Sequence, residues 1–325
     1  MNILVANNQL IKTGGTENYT YAIIVELLRL GHRVEYFTFQ KGEISERIES
    51  LGVKFKSKRI YDLIIANHNT TIQTLHKNGC IIQTCHGTTP ILEQPSEYAN
   101  TYVSVSYEVQ QHLRKKNIES KLINNGIDCN RFIPKNEIHA KLTFVLSLCQ
   151  SEEANQFISD CCNEINVTFK KLNKHIDNLW DIEKTINQSD LVVGIGRSVY
   201  DAMACGRAII SYDNRSYSKD FGDGYLNKEN IGLSLKYNCS GRGSQKTFTK
   251  ETFISELKKY DKSDGVFMRN FALQNLNIQS SVKQYLEIYS PLERMAIKAK
   301  KTIIILFLYA KYTLSCKLKY LIREK

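Results

Sequence analysis

Along the first 290 residues, short apolar runs alternate with segments whose apolar positions recur every three or four residues. Asn2–Ala6 is an apolar run too short for a helix and predicts a first strand. Glu17–Leu30 carries apolar residues at Tyr21, Ile24, Leu27 and Leu28, the spacing of one helical face. Gly31 suits the end of that helix, and Arg33–Phe39 alternates into a second strand. Further strands are predicted at Asp62–Ala66, Cys80–Thr84, Tyr102–Val105 and Lys121–Ile123, with a helix over Glu108–Lys116. Polar, proline-bearing Asn130–His139 predicts a linker. A second series then runs Leu142–Leu148 (strand), Glu153–Cys162 (helix), Ile165–Phe169 (strand) and Trp180–Asn187 (helix). It closes with Leu191–Val193 (strand), Ser198–Ala204 (helix) and Ala208–Ser211 (strand). This order predicts an α/β protein of two successive halves, each a parallel sheet covered by helices.

Composition narrows the class. The chain has 325 residues, 42% hydrophobic and 24% charged, as expected of a folded chain large enough for two domains. The start, Met1 to Ala6, lacks the basic and long apolar regions of a signal peptide and reads as a strand beginning at once. Nine cysteines show no paired CxxC spacing and no completing histidine pair, so reduced, mostly buried thiols and no metal are expected. The net charge is +11, of which residues 291–325 supply a surplus of seven (nine Lys/Arg against two Glu), leaving the preceding 290 residues a surplus of four. Nucleic acid is therefore not an expected partner of the body of the chain.

The densest chemistry lies between Asp190 and Asp213, DLVVGIGRSVYDAMACGRAIISYD. A strand, a turn with Gly194 and Gly196, a helix opened by Arg197 and Ser198, and a second strand present helix N–H groups to an anion. Such a turn also serves any α/β domain as a tight connection. The stretch Asp201-Ala202-Met203-Ala204-Cys205-Gly206 resembles the Glu-Ala-Met-Ala-x-Gly donor-site signature of the retaining GT-B glycosyltransferases of glycosyltransferase family 4. The resemblance implies a GT-B fold, two Rossmann-like domains (1–134 for the acceptor, 140–290 for the donor) facing a central cleft, with a basic amphipathic helix at 291–325. It implies a hexosyltransferase-type enzyme with a nucleotide-sugar substrate and neither cofactor nor metal. Asp201 would take the ribose hydroxyls, and Arg197 the diphosphate.

Other segments fit the same resemblance. Gly14 and Gly15, in Lys12-Thr13-Gly14-Gly15-Thr16-Glu17, let backbone approach a ligand, and the family carries a similar loop beside donor phosphates and acceptor. Thr16 also suits an N-cap before Glu17. Thr16, Glu17 and His68 are acceptor-side candidates, and His86, in Thr84-Cys85-His86-Gly87, is a catalytic candidate beside Arg197. Asn124-Asn125-Gly126-Ile127-Asp128 resembles the family's Asn-Gly-Ile/Val-Asp segment and reads as a hinge turn, Asn-Gly readily taking positive φ.

Two departures from the family stand out. Its first glutamate, eight residues before the second, falls on Val193, and its Gly-Arg and lysine phosphate clamp is missing from Ser147-Leu148-Cys149-Gln150-Ser151-Glu152-Glu153. Arg197, Arg207, Arg215 or Arg242 would have to replace the clamp. Gly222-Asp223-Gly224 and Asn238–Arg242 read as polar turns without an assigned role. In the tail, Thr302–Ala310 is uncharged over nine residues, about 14 Å of helix and too short to span a bilayer. Ile303, Phe307, Ala310, Leu314, Leu318 and Leu321 form an apolar stripe flanked by lysines. That pattern predicts a helix at 292–325 on an anionic membrane surface, placing the protein on the inner, cytoplasmic face of the cell membrane. The expected acceptor is a glycan or lipid-linked acceptor in cell-surface polysaccharide or lipopolysaccharide synthesis. Alternatives are a silent GT-B scaffold partner, an inverting GT-B enzyme or a nucleotide-sugar epimerase.

Overall fold

The computed structural model describes residues 1–173, 176–177, 180–215 and 220–290. Residues 1–282 form one compact unit holding two sheets. The elements of the first half are β1 (Asn2–Ala6), α1 (Gly15–Arg29), β2 (Arg33–Phe37), α2 (Glu43–Ser50), β3 (Lys54–Phe55) and β4 (Tyr61–Ala66). They continue with α3 (Asn69–Leu75), β5 (Gly79–Cys85), β6 (Thr101–Ser104), α4 (Tyr107–Arg114) and β7 (Lys121–Leu122). The second half begins with β8 (Phe144–Ser147), α5 (Glu152–Glu164), β9 (Thr168–Lys171), α6 (Ile182–Ile186), β10 (Leu191–Gly194) and α7 (Arg197–Ala204). It is completed by β11 (Ala208–Tyr212), β12 (Gly222–Tyr225), α8 (Ile231–Lys236), α9 (Lys250–Leu257) and α10 (Lys262–Asn275). Residues 278–290 are helical.

The first sheet has the order β3-β2-β1-β4-β5-β6-β7 and its pairs are parallel. Its order reverses direction between β1 and β4, the place where an open α/β sheet leaves a crevice at its strand C-termini. The second sheet runs β12-β11-β10-β8-β9 and reverses between β8 and β10. Its inner strands are buried on both faces with a period of two. Leu146, Val192 and Ile209 pack under α7 and α10, while Val145, Leu191, Val193 and Ile210 pack under α5 and α9. Val193, where the family has a carboxylate, is thus core and fully enclosed.

Three local readings are corrected. Gly222-Asp223-Gly224, read as a turn, belongs to the buried edge strand β12, antiparallel to β11, because Ser234, Ser244 and the Gly241 N–H all donate to the Asp223 carboxylate and hold it inside. Thr16 is not the N-cap of α1. Gly14 is, in extended backbone, and Thr16 lies in the first turn with its hydroxyl on Glu17. Gly126 does not use positive φ. Its missing side chain admits a close approach, since a Cβ there would lie 2.7 Å from Ile278 Cα. Ile127 N donates to Leu276 O, and Ile278 N to Ile127 O, so the chain's return braces this segment. Ile127, Cys129 and Phe132 already belong to the core of the second half.

Eight cysteines among the described residues are free thiols, seven of them buried. Among the described residues no helix is long and apolar enough to cross a membrane. The tail expected at 291–325 to lie on a membrane falls outside the described residues.

Candidate functional site

The loops that leave the two sheets at their points of reversal line one cavity of about 300 Å³. From the first half come the end of the β1–α1 loop and the first turn of α1 (Thr13 to Thr16) with Asn18, the loop after β5 (His86, Glu93) and Asn125. From the second come Leu148 and Gln150 after β8, Ile195 to Ser198 after β10, Asp201 on α7, Arg215, and the loop carrying Asn238, Ser240 and Arg242.

On the second half's side, the entry to α7 is set by Gly196, whose φ of +59° favours glycine. The N–H of Gly196 is bonded to Cys239 O, and Val199 and Tyr200 turn back to Gly196 O. The N–H groups of Arg197 and Ser198 take no partner among the described residues, so the positive end of α7 opens on the cavity. Gly194 does not line the cavity. It sits beneath it, where a Cβ would press on Ser198 Cβ at 3.1 Å. Arg197 turns back along its helix, with Nε 2.9 Å from Asp201 Oδ1 and Nη1 3.2 Å from Gly126 O. Burial raises the pKa of Asp201 and the Arg197 charge opposes that rise. Asp201 Oδ2 takes no hydrogen bond from the described residues.

The N-terminus of α5, where the family's clamp would stand, is closed. The Asp213 carboxylate accepts from Gln150 N at 3.2 Å and Ser151 N at 3.4 Å, and is neutralised by Arg215 Nε at 2.6 Å. An anion of the protein itself thus fills that position. Arg207 is buried, bonded to Cys205 O, Ser189 O, Asn136 O and Asn187, and lines no part of this cavity. Arg242 reaches the cavity rim and is held bidentately by Glu108 of the first half, at 2.8 and 2.6 Å.

The first half's side has the opposite character. Gly14 and Gly15 open α1, and the N–H groups of Gly15 and Thr16 take no backbone partner among the described residues. Carboxylates crowd this loop. Glu17 leans on Gly14, where a Cβ would meet its Oε2 at 2.2 Å, so Glu17 is buried behind the loop and does not line the cavity. Glu93 leans likewise on Gly87 and does line it. Burial, reinforced by the charge of Glu17, pushes the Glu93 carboxyl up to about 7. The His86 ring packs edge-on against Tyr19 at 5.5 Å. Its Nε2 donates to Asn67 Oδ1 at 3.0 Å, since the Asn67 amide nitrogen itself donates to Thr20. Burial and the nearby His68 push His86 down to about 3, so it is a neutral ring at physiological pH and offers hydrogen bonds, not charge. His68 does not reach the cavity. It is buried at the start of α3, its Nδ1 accepts from Asn8 N at 3.2 Å, and burial pushes it down to about 4.

Three buried amide oxygens, Asn18 Oδ1, Asn125 Oδ1 and Gln150 Oε1, have no hydrogen-bond partner among the described residues, and all three residues line this cavity. A buried acceptor left unpaired is costly, so each marks a place for a donor from outside the chain. Neither Asn18 nor Glu93 is suggested by sequence motif. Glu93 could have been sought as an acid in the loop that carries His86. Among the described residues no three His, Cys, Asp or Glu side chains converge as a metal site would require.

No protein-family model and no curated protein sequence matches this chain. Its structure does resemble solved ones. HepE of Anabaena, in complex with UDP and glucose, aligns with a TM-score of 0.59 at 15% identity, over 89% of this chain and 99% of its own. The catalytic domain of starch synthase IV from Arabidopsis thaliana, bound to ADP and acarbose, gives 0.55 at 12% identity, over 90% and 99%. An alpha-glucosyltransferase in complex with UDP and a 13-mer DNA gives 0.54 at 12% identity, over 89% and 99%. Likeness at these identities speaks to architecture: the chain has the GT-B fold, two Rossmann-like halves with their strand-end loops around one cavity.

Proposed function

We propose that the protein is a nucleotide-sugar-dependent glycosyltransferase that moves a hexosyl group onto a hydroxyl of a glycan or lipid-linked acceptor in cell-surface polysaccharide or lipopolysaccharide synthesis. The observation that carries this reading is the polarity of the cavity. One side offers the open positive end of α7 with Arg197 and Arg242, while the other offers Glu93, neutral His86 and the unpaired oxygens of Asn18 and Asn125. A ligand that satisfies both sides is anionic at one end and rich in hydroxyl donors at the other. A sugar nucleotide has that constitution.

In this reading the diphosphate lies against the N–H groups of Arg197 and Ser198, and Asp201 Oδ2 accepts from the ribose. No metal is invoked, because the α7 N-terminus and the arginines supply positive charge. The likeness of the donor motif to family 4 supports retention at the anomeric carbon. The C1–O bond to the leaving phosphate breaks, the acceptor oxygen bonds to C1 on the same face, and the hydroxyl proton passes to the phosphate oxygen. The protein's part is preorganised stabilisation of the departing charge. The modest charge of the first 290 residues favours a glycan or lipid-linked acceptor over nucleic acid. The basic, apolar-striped sequence at 292–325 favours an acceptor at an anionic membrane surface on the cytoplasmic side.

The test is thermal stabilisation by UDP, GDP, ADP and CMP, with Asp201→Asn as the control that keeps a hydrogen bond to Arg197. A nucleotide at a hundred times its Kd adds about 2.7 kcal/mol of stability. A selective shift that the variant loses is expected. Next, the matching nucleotide sugars are assayed for hydrolysis and transfer. A well-folded protein that responds to none of the four would instead be a catalytically silent GT-B partner of another transferase.

A further inference from the structure

The family's phosphate clamp is missing, and of the arginines at the cavity one differs from the rest in what holds it. Arg197 and Asp201 are both largely buried and belong to one helix, so their pair is part of α7's packing. Arg215 is spent on Asp213, which also closes the end of α5. Arg242 and Glu108 come from opposite halves, 134 residues apart, and their side chains are the more exposed, at 31% and 18%. A part-buried pair on the cavity rim lies within reach of an anion entering from solvent, which can take the place of its carboxylate.

The loop that presents Arg242 is built with unusual backbone. Asn238, Cys239 and Gly241 have φ of +58°, +47° and +76°. For Cys239 this region is unfavourable, and such strain persists only where surrounding bonds fix it. Those bonds tie the loop to the start of α7 and to β12. Cys239 O accepts from Gly196 N at 3.1 Å, Tyr200 Oη donates to Asn238 Oδ1 at 2.9 Å, and Gly241 N reaches Asp223 at 3.2 Å. A bonded loop therefore carries a planar, bidentate cation to the rim of the cavity that Arg197 and Ser198 also line. In the free protein a carboxylate occupies that cation with the fork geometry that also suits a phosphate.

We propose that Arg242 is a diphosphate-binding residue whose counter-ion in the free protein is Glu108, so that donor binding exchanges a carboxylate of the facing half for a phosphate. The proposal rests on the transferase reading and adds to it a replacement for the missing clamp and a cost for occupying it. Beside this pair Lys236 of the second half lies over the Tyr107 ring at 6.0 Å, a contact that does not depend on Glu108.

The experiment is calorimetric titration of the full chain with inorganic pyrophosphate and with UDP, GDP, ADP and CMP. Arg242→Gln is expected to weaken pyrophosphate and the preferred nucleotide about tenfold or more, the size of a lost charged hydrogen bond. Glu108→Gln is expected to tighten both by roughly two- to fivefold, because the competing carboxylate is gone. The double variant should match Arg242→Gln alone. Should Arg242→Gln fail to fold, Arg242→Lys keeps the charge and loses the fork, and an intermediate weakening is expected. A Glu108→Gln protein of unchanged melting temperature whose affinity is unaltered or weaker overturns the proposal. Binding of a nucleotide that depends on Asp201 but ignores positions 108 and 242 sinks the proposal and leaves the transferase reading standing. Silence toward every nucleotide in both wild type and Glu108→Gln sinks that reading and the proposal with it.

Discussion

The helices α1 and α7 begin in the same way and face the same cavity, yet they present opposite chemistry. Each follows a buried parallel strand, each is opened by a glycine, and each leaves its first N–H groups toward the cavity. What stands in front of them differs. At α1 the Glu93 carboxyl stands at the cavity with Glu17 buried behind the loop, and at α7 stand Arg197, paired with Asp201, and across the turn Arg242, paired with Glu108. A third helix, α5, has its entry filled by Asp213. The positive end of a helix is common to all three, so it cannot by itself decide where a phosphate binds. The side chains within reach decide it, and in the proposed reading they make α7 the anion end and α1 the hydroxyl end.

The sharpest way to break this contrast is to remove the carboxylate inside the α7 side. Asp201→Ala leaves the Arg197 guanidinium buried without its counter-ion and is expected to cost about 3–5 kcal/mol in urea denaturation. A cost below 1 kcal/mol would mean that Arg197 is free to turn to solvent. Next in size is the junction between the two sides. Gly126→Ala forces a Cβ against the Ile278 backbone at 2.7 Å and is expected to destabilise by about 1–3 kcal/mol.

The α1 side is tested by pH. With its folded pKa raised from 4.5 to about 7, Glu93 binds its proton more tightly in the folded chain than in the unfolded one. Its contribution is full below about pH 4.5 and is lost as pH rises through 7. Glu93→Gln should therefore flatten the stability profile over that window by on the order of 1–2 kcal/mol, since the residue is partly exposed. Equal slopes in wild type and variant would remove the carboxylate pair from the picture. The smallest effect is at Gly15, where an added Cβ meets nothing within 4 Å and φ is not positive. Gly15→Ala should leave stability unchanged or raise it by about 0.4–1 kcal/mol. Any loss it causes in transfer then reports on ligand approach, and unchanged transfer would show that no ligand comes close there.

Much of the architecture was legible because its causes are local. The run Asn2–Ala6 became β1 with the same bounds, and the periodic segment at Glu17–Leu30 became α1 two residues earlier, at Gly15–Arg29. Gly31 ends that helix at a φ of +78°. The turn at Gly194 to Arg197 and the helix behind it were equally visible, since an apolar strand, a glycine and a small-residue helix are neighbours in the chain. The site was legible in pieces. His86, Arg197, Ser198 and Asp201 do line one cavity, whereas His68 is absorbed by the fold, because a buried neutral ring satisfied by Asn8 N looks the same in sequence as one that meets a ligand.

By itself, then, the amino-acid sequence determined the α/β order of the strands and helices and the glycine-opened helix ends. Those depend on contacts within a turn or two of chain. Only the tertiary structure decided which helix end is free for an anion and which ionisable groups stand before it. Asp213 reaches α5 from 62 residues away, Glu108 reaches Arg242 from 134, and Glu17 of α1 adds to the raised pKa of Glu93 in the loop after β5. Gly222–Tyr225 joined the sheet through bonds that Asp223 makes to residues 11 to 21 positions later. Electrostatics and hydrogen-bond satisfaction depend on distance in space, and no local pattern of residues encodes that distance.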